Sequence, residues 1–176
     1  HNQGYKSNVV AWWPSNPVEP INGVMVSNLY QVANDTVDKD WVMPKGTVYP
    51  KSLTDEMKQW RVHPGEITLS MTLPFIPNLA DDKELRKEKR VAGIVKVLAN
   101  AASVHAASTH LLATTDWDFT AVYHDAIDHF SHLAMKYHPP RRKEIAEKEF
   151  ENYHLVVESA YRFQDMMLER CLDLID

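Results

Sequence analysis

A single cysteine, Cys171, stands in 176 residues, so no disulfide can form within the chain. The fold must hold without a covalent framework, and one thiol says little about the redox compartment. An excess of positive charge is also missing: 19 Lys and Arg stand against 24 Asp and Glu, a net charge of −5. A nucleic-acid surface needs clustered positive charge. The one basic run, "RRK" from Arg141 to Lys143, reads as a solvated surface, so no nucleic-acid polymer is expected as a partner. No apolar run reaches the roughly 18 residues that would suggest a membrane span. No secretory signal, internal repeat or low-complexity segment is visible, which leaves the compartment open.

What is present is an ordinary globular balance, 44% apolar and 24% charged, in a chain long enough for one domain with a real core. The opening "HNQGYKSNVVAWW" enters strand-like residues almost at once, without an initiator Met. The closing "LERCLDLID" is still inside a helical pattern. Both ends read as cuts, and the chain is expected to be an internal portion of a larger domain.

Asn8 to Trp13 reads as a short buried strand. Pro14, Pro17 and Pro20 come next in a rigid loop. "GVMVSNLYQVAN" reads as a short helix or turn, "DTVDKDWVMPKGTVYP" as loop, and "SLTDEMKQWRV" as a short helix with Ser52 or Thr54 as N-cap. "HPGEITLSMTLPFIPNLADD" is a second Pro-rich connection. From about Asp82 to Thr114 the pattern is helical, with Val91, Val95, Leu98, Ala102, His105, Thr109 and Leu112 on one stripe. His105 there reads as a core histidine with a hydrogen-bond partner rather than a ligand. Asp118 to His124 is a second strand. A helix from about Ile127 to Tyr137 must stop at Pro139 and Pro140. One long helix is expected from about Lys143 to the end, with Ala146, Phe150, Tyr153, Val157, Ala160, Leu168 and Cys171 on its stripe. Strand, crossover helix, strand, helix predicts an α/β fold with a mainly parallel but incomplete sheet.

Residues 121–140, "AVYHDAIDHFSHLAMKYHPP", hold two Asp and four His. On a helix, Ile127, Phe130, Ala134 and Tyr137 share an apolar arc of about 80°. Asp128 and His132 lie about 40° apart, on the side roughly opposite that arc. Three readings are open. Asp125 and Asp128 can satisfy free N–H groups at the helix start. Asp128 and His132 can form a surface i,i+4 pair. Or the carboxylate and imidazole can supply two ligands of a metal site that needs at least one more. The position, directly after a strand, is where ligands of open α/β sheets collect.

"DFTAVYHDAIDHFSH" resembles the strand–turn–helix of the alkaline phosphatase superfamily, in its type I phosphodiesterase/nucleotide pyrophosphatase branch. That branch carries Asp-x-x-x-His just after a core strand; here it reads Asp128 to His132, with Ser131 where Gly is common. "MKYHPPR" and "ENYHLVVESAYRFQDMMLERCLDLID" are similar to the family's segment downstream of that element, and "AWWPSNPVEPINGVMVSN" to an upstream one. The resemblance implies part of an alkaline-phosphatase-like three-layer fold, with residues 41–114 as an insertion or lid. It implies two zinc ions in the intact enzyme, with Asp128 and His132 ligating one of them. A Thr or Ser nucleophile would form a covalent intermediate on a phosphodiester or nucleotide pyrophosphate-type substrate. The chain departs from that pattern in three places, one of them the lack of the distant His that completes the first metal site. No nucleophile motif precedes Trp12, and no Asp-His-Gly lies beyond the last helix; the only Asp-His dipeptide is Asp128-His129. No catalytic nucleophile is therefore expected within this chain, zinc binding should be weak, and the chain alone should be inactive.

Two further features stay open. His63 in "RVHPGEITL" and the indoles of Trp12, Trp13, Trp41 and Trp60 can face a substrate or simply pack. The alternative to an enzyme is a helical interaction module in which Asp128 and His132 are an incidental surface pair. A cut α/β sheet would also expose strand edges and helix faces, which favours self-association.

Overall fold

The computed structural model describes residues 3–33 and 41–175. Residues 35–40 of the expected loop lie outside the described residues. The fold is mixed α/β. Among the described residues four strands, β1 (Ser7–Val10), β2 (Gly23–Val26), β3 (Val48–Tyr49) and β4 (Phe119–Val122), form one sheet in the order β3-β2-β1-β4. β1 pairs in parallel with both β2 and β4, while β3 is antiparallel to β2.

The sequence reading of residues 23–34 as a short helix or turn is corrected in its first part: Gly23–Val26 is a strand, and the turn follows at residues 28–31. Val24 and Val26 point into the core while Met25 lies on the other face, a period of two that an unbroken apolar run conceals. Gly23 opens the strand at φ +138°, where its missing Cβ lets the backbone lie against Ser7. β1 is shorter than expected: Ala11 turns the chain out of the sheet at φ +58°, so Trp12 and Trp13 leave the ladder.

The helices among the described residues are α1 (Thr54–Lys58), α2 (Leu69–Thr72), α3 (Lys89–Thr114), α4 (Ala126–Ala134), α5 (Glu147–Tyr153) and α6 (Val156–Leu172). α3 crosses between the two cores. Its first half (Val91, Ile94, Leu98, Ala101) packs with α4, α5 and α6, around Phe75 stacked on Phe130 at 5.1 Å. Its second half (Val104, Ala107, Leu111) covers the sheet face that carries Val10, Val24, Val26 and Val48. Residues 41–114 thus supply both β3 and the central helix.

The expected stripe of α3 has the right period and is turned slightly. Leu98 and Val91 are buried as expected, but Val95, Ala102, His105, Thr109 and Leu112 are only partly so. Ala99, Ala101, Ser103, Ala107 and Ser108 take the buried positions, because small side chains admit close neighbours on two sides. α3 is also the one helix among the described residues long and apolar enough to cross a membrane by length and composition, and half of its most apolar window is buried in the fold.

The single long C-terminal helix of the sequence reading is corrected as well. It is two helices, α5 and α6, separated at His154 and Leu155. The His154 ring nitrogen Nδ1 lies 3.1 Å from the Phe150 carbonyl and 3.2 Å from that of Glu151, and the Phe150 carbonyl also accepts the His154 N–H at 2.9 Å as the last bond of α5. Tyr153, Val157 and Ala160 of the expected stripe are buried, whereas Leu168 is half exposed, with Met167 buried in its place.

Candidate functional site

Among the described residues, β1 is the only strand with parallel neighbours on both sides, so chain connections diverge at its C-terminal end. This is the switch point at which open α/β sheets hold ligands. There the Tyr123 N–H donates to the Val10 carbonyl at 2.9 Å, carrying the ladder one residue past β4. The Trp12 and Tyr123 rings meet edge to face at 5.8 Å, both well exposed. α4 begins immediately afterwards.

On α4 the expected division of faces is present. Phe130, Ala134 and, one turn on, Tyr137 are fully buried, and the Asp128 and His132 side chains stand 69% and 78% exposed on the other side. Asp125 occupies the N-cap position, but its side chain makes no cap bond. Instead it meets His129 Nε2 at 3.1 Å, one turn on. This second i,i+4 pair was legible in the spacing and hidden by reading Asp125 as a cap.

The two pairs differ in geometry. His129 and Asp125 are hydrogen-bonded. His132 Nε2 and Asp128 Oδ2 are 3.5 Å apart, long for a charge-assisted hydrogen bond. A tetrahedral zinc site with bonds of about 2.0 Å has ligand–ligand edges of roughly 3.3 Å. The pair therefore fits one edge of such a site, as an oxygen and an imidazole nitrogen reaching one ion. Among the described residues, no group of three or more His, Cys, Asp and Glu side chains is placed to hold a metal ion. With both groups solvated, Asp128→Ala and His132→Ala should each change stability by less than about 0.5 kcal/mol, measured by urea unfolding. A loss of several times that size would mean that the pair is structural.

His124, last of the β4 face that also carries Thr120 and Val122, lies between the strand and α6. Its Nδ1 is buried without a hydrogen-bond partner, and its ring centroid is 6.4 Å from that of His105 on α3. Burial, and secondarily the neighbouring His105, hold the His124 imidazole down at about 4, against the pull of Asp125. His105 is also lowered, first by burial and then by Arg170 of α6. The hydrogen-bond partner expected for His105 is not found at Nδ1, which is buried and unpaired.

His63 is buried. Its Nδ1 accepts from the Gly65 N–H at 3.0 Å while Glu66 accepts from its backbone N–H, a capping box on the turn Pro64–Glu66. Trp41 carries the Arg61 guanidinium 3.9 Å from its ring centroid and meets His63 edge on. Trp60 stacks on His110 at 4.5 Å. Trp41 is thus half-buried in ring contacts, Trp60 keeps part of its ring exposed, and Trp12 and Trp13 are exposed beside the switch point. In the basic run, Arg141 Nη1 donates to the Ile145 carbonyl at 2.9 Å, and Arg142 and Lys143 are solvated.

No family model, no curated protein and no solved structure matches this chain.

Proposed function

We propose that this chain is a portion of a zinc-dependent phosphohydrolase domain of alkaline-phosphatase-like fold. Asp128 and His132 contribute two ligands of one metal, and the substrate is a small phosphodiester or nucleotide pyrophosphate-type compound. The observation that carries the reading is the 3.5 Å Asp128–His132 edge on the helix that leaves the sheet at its switch point. The Asp125–His129 pair beside it is closed by its own hydrogen bond, and so is less available. The sheet supports the same reading. A mainly parallel sheet is normally covered on both faces. Here α3 covers one, and the face carrying Val9, Met25, Phe119 and Ala121 is part-exposed among the described residues. A bound zinc would stabilise charge on the phosphoryl oxygens. Within this chain, Asp128 and His132 bind and orient, and the Thr or Ser nucleophile is expected outside it.

The test is a zinc titration of the chain, read by imidazole NMR. Zinc should perturb His132 weakly, as befits two ligands, and Asp128→Ala should remove the response while His129→Ala leaves it in place. Silence of His132 at millimolar zinc, or a response that survives Asp128→Ala, would count against the pair as ligands. The chain alone should show no phosphodiester turnover with or without zinc.

A non-enzymatic interaction module is the second reading. It is favoured by the exposed apolar side chains of α6, among them Tyr161, Met166, Leu168 and Leu172. Under it, Asp128 and His132 are an incidental surface pair.

A further inference from the structure

Residues 62–75 pass from α3 to α6 and are fastened to a helix at each end. At one end the Ser103 Oγ of α3 accepts the Val62 N–H at 2.8 Å. At the other the Ser159 Oγ of α6 donates to the Pro74 carbonyl at 2.6 Å. Both serines are buried. The His63–Glu66 capping box stiffens the turn in between. Held at these points, the segment leaves a cavity of about 540 Å³ between itself and the helices. Met71 and Phe75 line one side, Leu98 and Ala102 of α3 the floor, and Phe163 and Met166 of α6 the other side. The volume falls within the roughly 300–1,000 Å³ of small-molecule sites, which are mostly apolar and already formed before binding. The lining residues run from Val62 to Met166, so neither end of the chain reaches the cavity and its walls are complete within this chain.

The polar chemistry of the lining is sparse and of one sign. Ser159 is engaged with the Pro74 carbonyl. The one charged lining residue is Arg162, whose side chain is 77% exposed and so sits at the rim. Its Nη2 donates to Glu158 Oε1 at 2.5 Å, an i,i+4 pair of solvated groups that stabilises little and is readily exchanged for another anion. A guanidinium has five N–H donors in a fork that matches a carboxylate. Met71 and Met166 are both more than half exposed; unbranched and polarizable, they adapt to a flexible chain.

We infer that this cavity binds a fatty-acid-like anion. The alkyl chain lies between residues 62–75, α3 and α6, and the carboxylate meets Arg162 at the rim. Apolar walls remove the chain from water, and the single cation selects a negative head over a positive one. Asp128 and His132 do not line this cavity, and the inference does not rest on the roles given to them.

Calorimetric titration of the 176-residue chain with decanoate and with decylammonium tests it, since the two share a chain and differ in the sign of the head. Decanoate should bind at least about tenfold more tightly. Arg162→Gln should abolish that preference. Glu158→Gln removes the competing carboxylate and should tighten decanoate by about threefold. Both substitutions change exposed side chains and should leave the fold intact, as far-UV circular dichroism will record. Ala102→Leu fills the floor without altering charge and should weaken decanoate by at least about tenfold. No decanoate binding at millimolar concentration overturns the proposal. So does equal affinity for the two amphiphiles, or decanoate binding that survives both Arg162→Gln and Ala102→Leu.

Discussion

Gly23→Ala is expected to destabilise the chain by about 3–5 kcal/mol, a large share of a typical domain's stability. An added Cβ would overlap the carbonyl of Ser7, and neither backbone is free to yield. Ser7 and Gly23 are register partners in the β1–β2 ladder, and the Ser7 N–H donates to the Asn22 carbonyl at 2.8 Å. Opening that contact disturbs the strand whose far end forms the switch point. Gly4→Ala is the control. Its φ is also positive, at +85°, but nothing lies near the added atom, so only backbone strain of about 1 kcal/mol applies. Urea unfolding of both variants should place Gly23→Ala far below Gly4→Ala. Equal losses would mean that β1 and β2 do not pair in this register.

A comparable loss should come from acid through His124. Its imidazole is held at about 4 in the folded chain, below the ordinary value near 6.5, so the unfolded chain takes up the proton first. The neutral ring's contribution is thus complete above pH 6.5 and lost as pH falls towards 4, to a total of at most about 3 kcal/mol. His105 shifts in the same direction, and Asp125 opposes in part. Carboxylates also titrate in this window, so the informative quantity is the difference between wild type and His124→Phe. The variant should be less acid-sensitive by that amount. Parallel stability curves would show that His124 is not buried as neutral imidazole.

The sequence was most legible where a single periodicity dominates. α4 carries one apolar arc against one solvated face, so the burial of Phe130 and Ala134 and the exposure of Asp128 and His132 agree with spacing alone. α3 was legible at its C-terminal end, Thr114, but not at its start, which is Lys89 rather than about Asp82, nor in rotation, because it is packed from several sides and its contacts are made by Ala and Ser, which carry little hydrophobic signal. β2 was lost because four apolar residues in a row show no alternation until a neighbouring strand defines the faces. The break before α6 takes only two residues, His154 and Leu155, too few to disturb the apolar period on either side. At the site, spacing places Asp128 next to His132. It does not separate the open 3.5 Å pair from the hydrogen-bonded Asp125–His129 pair, a difference of a few tenths of an ångström.

The most direct measurement is hydrolysis of an aryl phosphodiester by the product of the complete reading frame, as wild type, Asp128→Ala and His129→Ala. If Asp128 is a zinc ligand, its loss should lower kcat/KM by at least roughly 100-fold, since even groups that only orient a ligand are worth about 10- to 100-fold. Bound zinc should fall with it, and His129→Ala should stay near wild type. A protein that never hydrolyses the ester, or that keeps full activity and zinc content without the Asp128 carboxylate, would contradict the assignment and leave the pair as the solvated face of an ordinary helix.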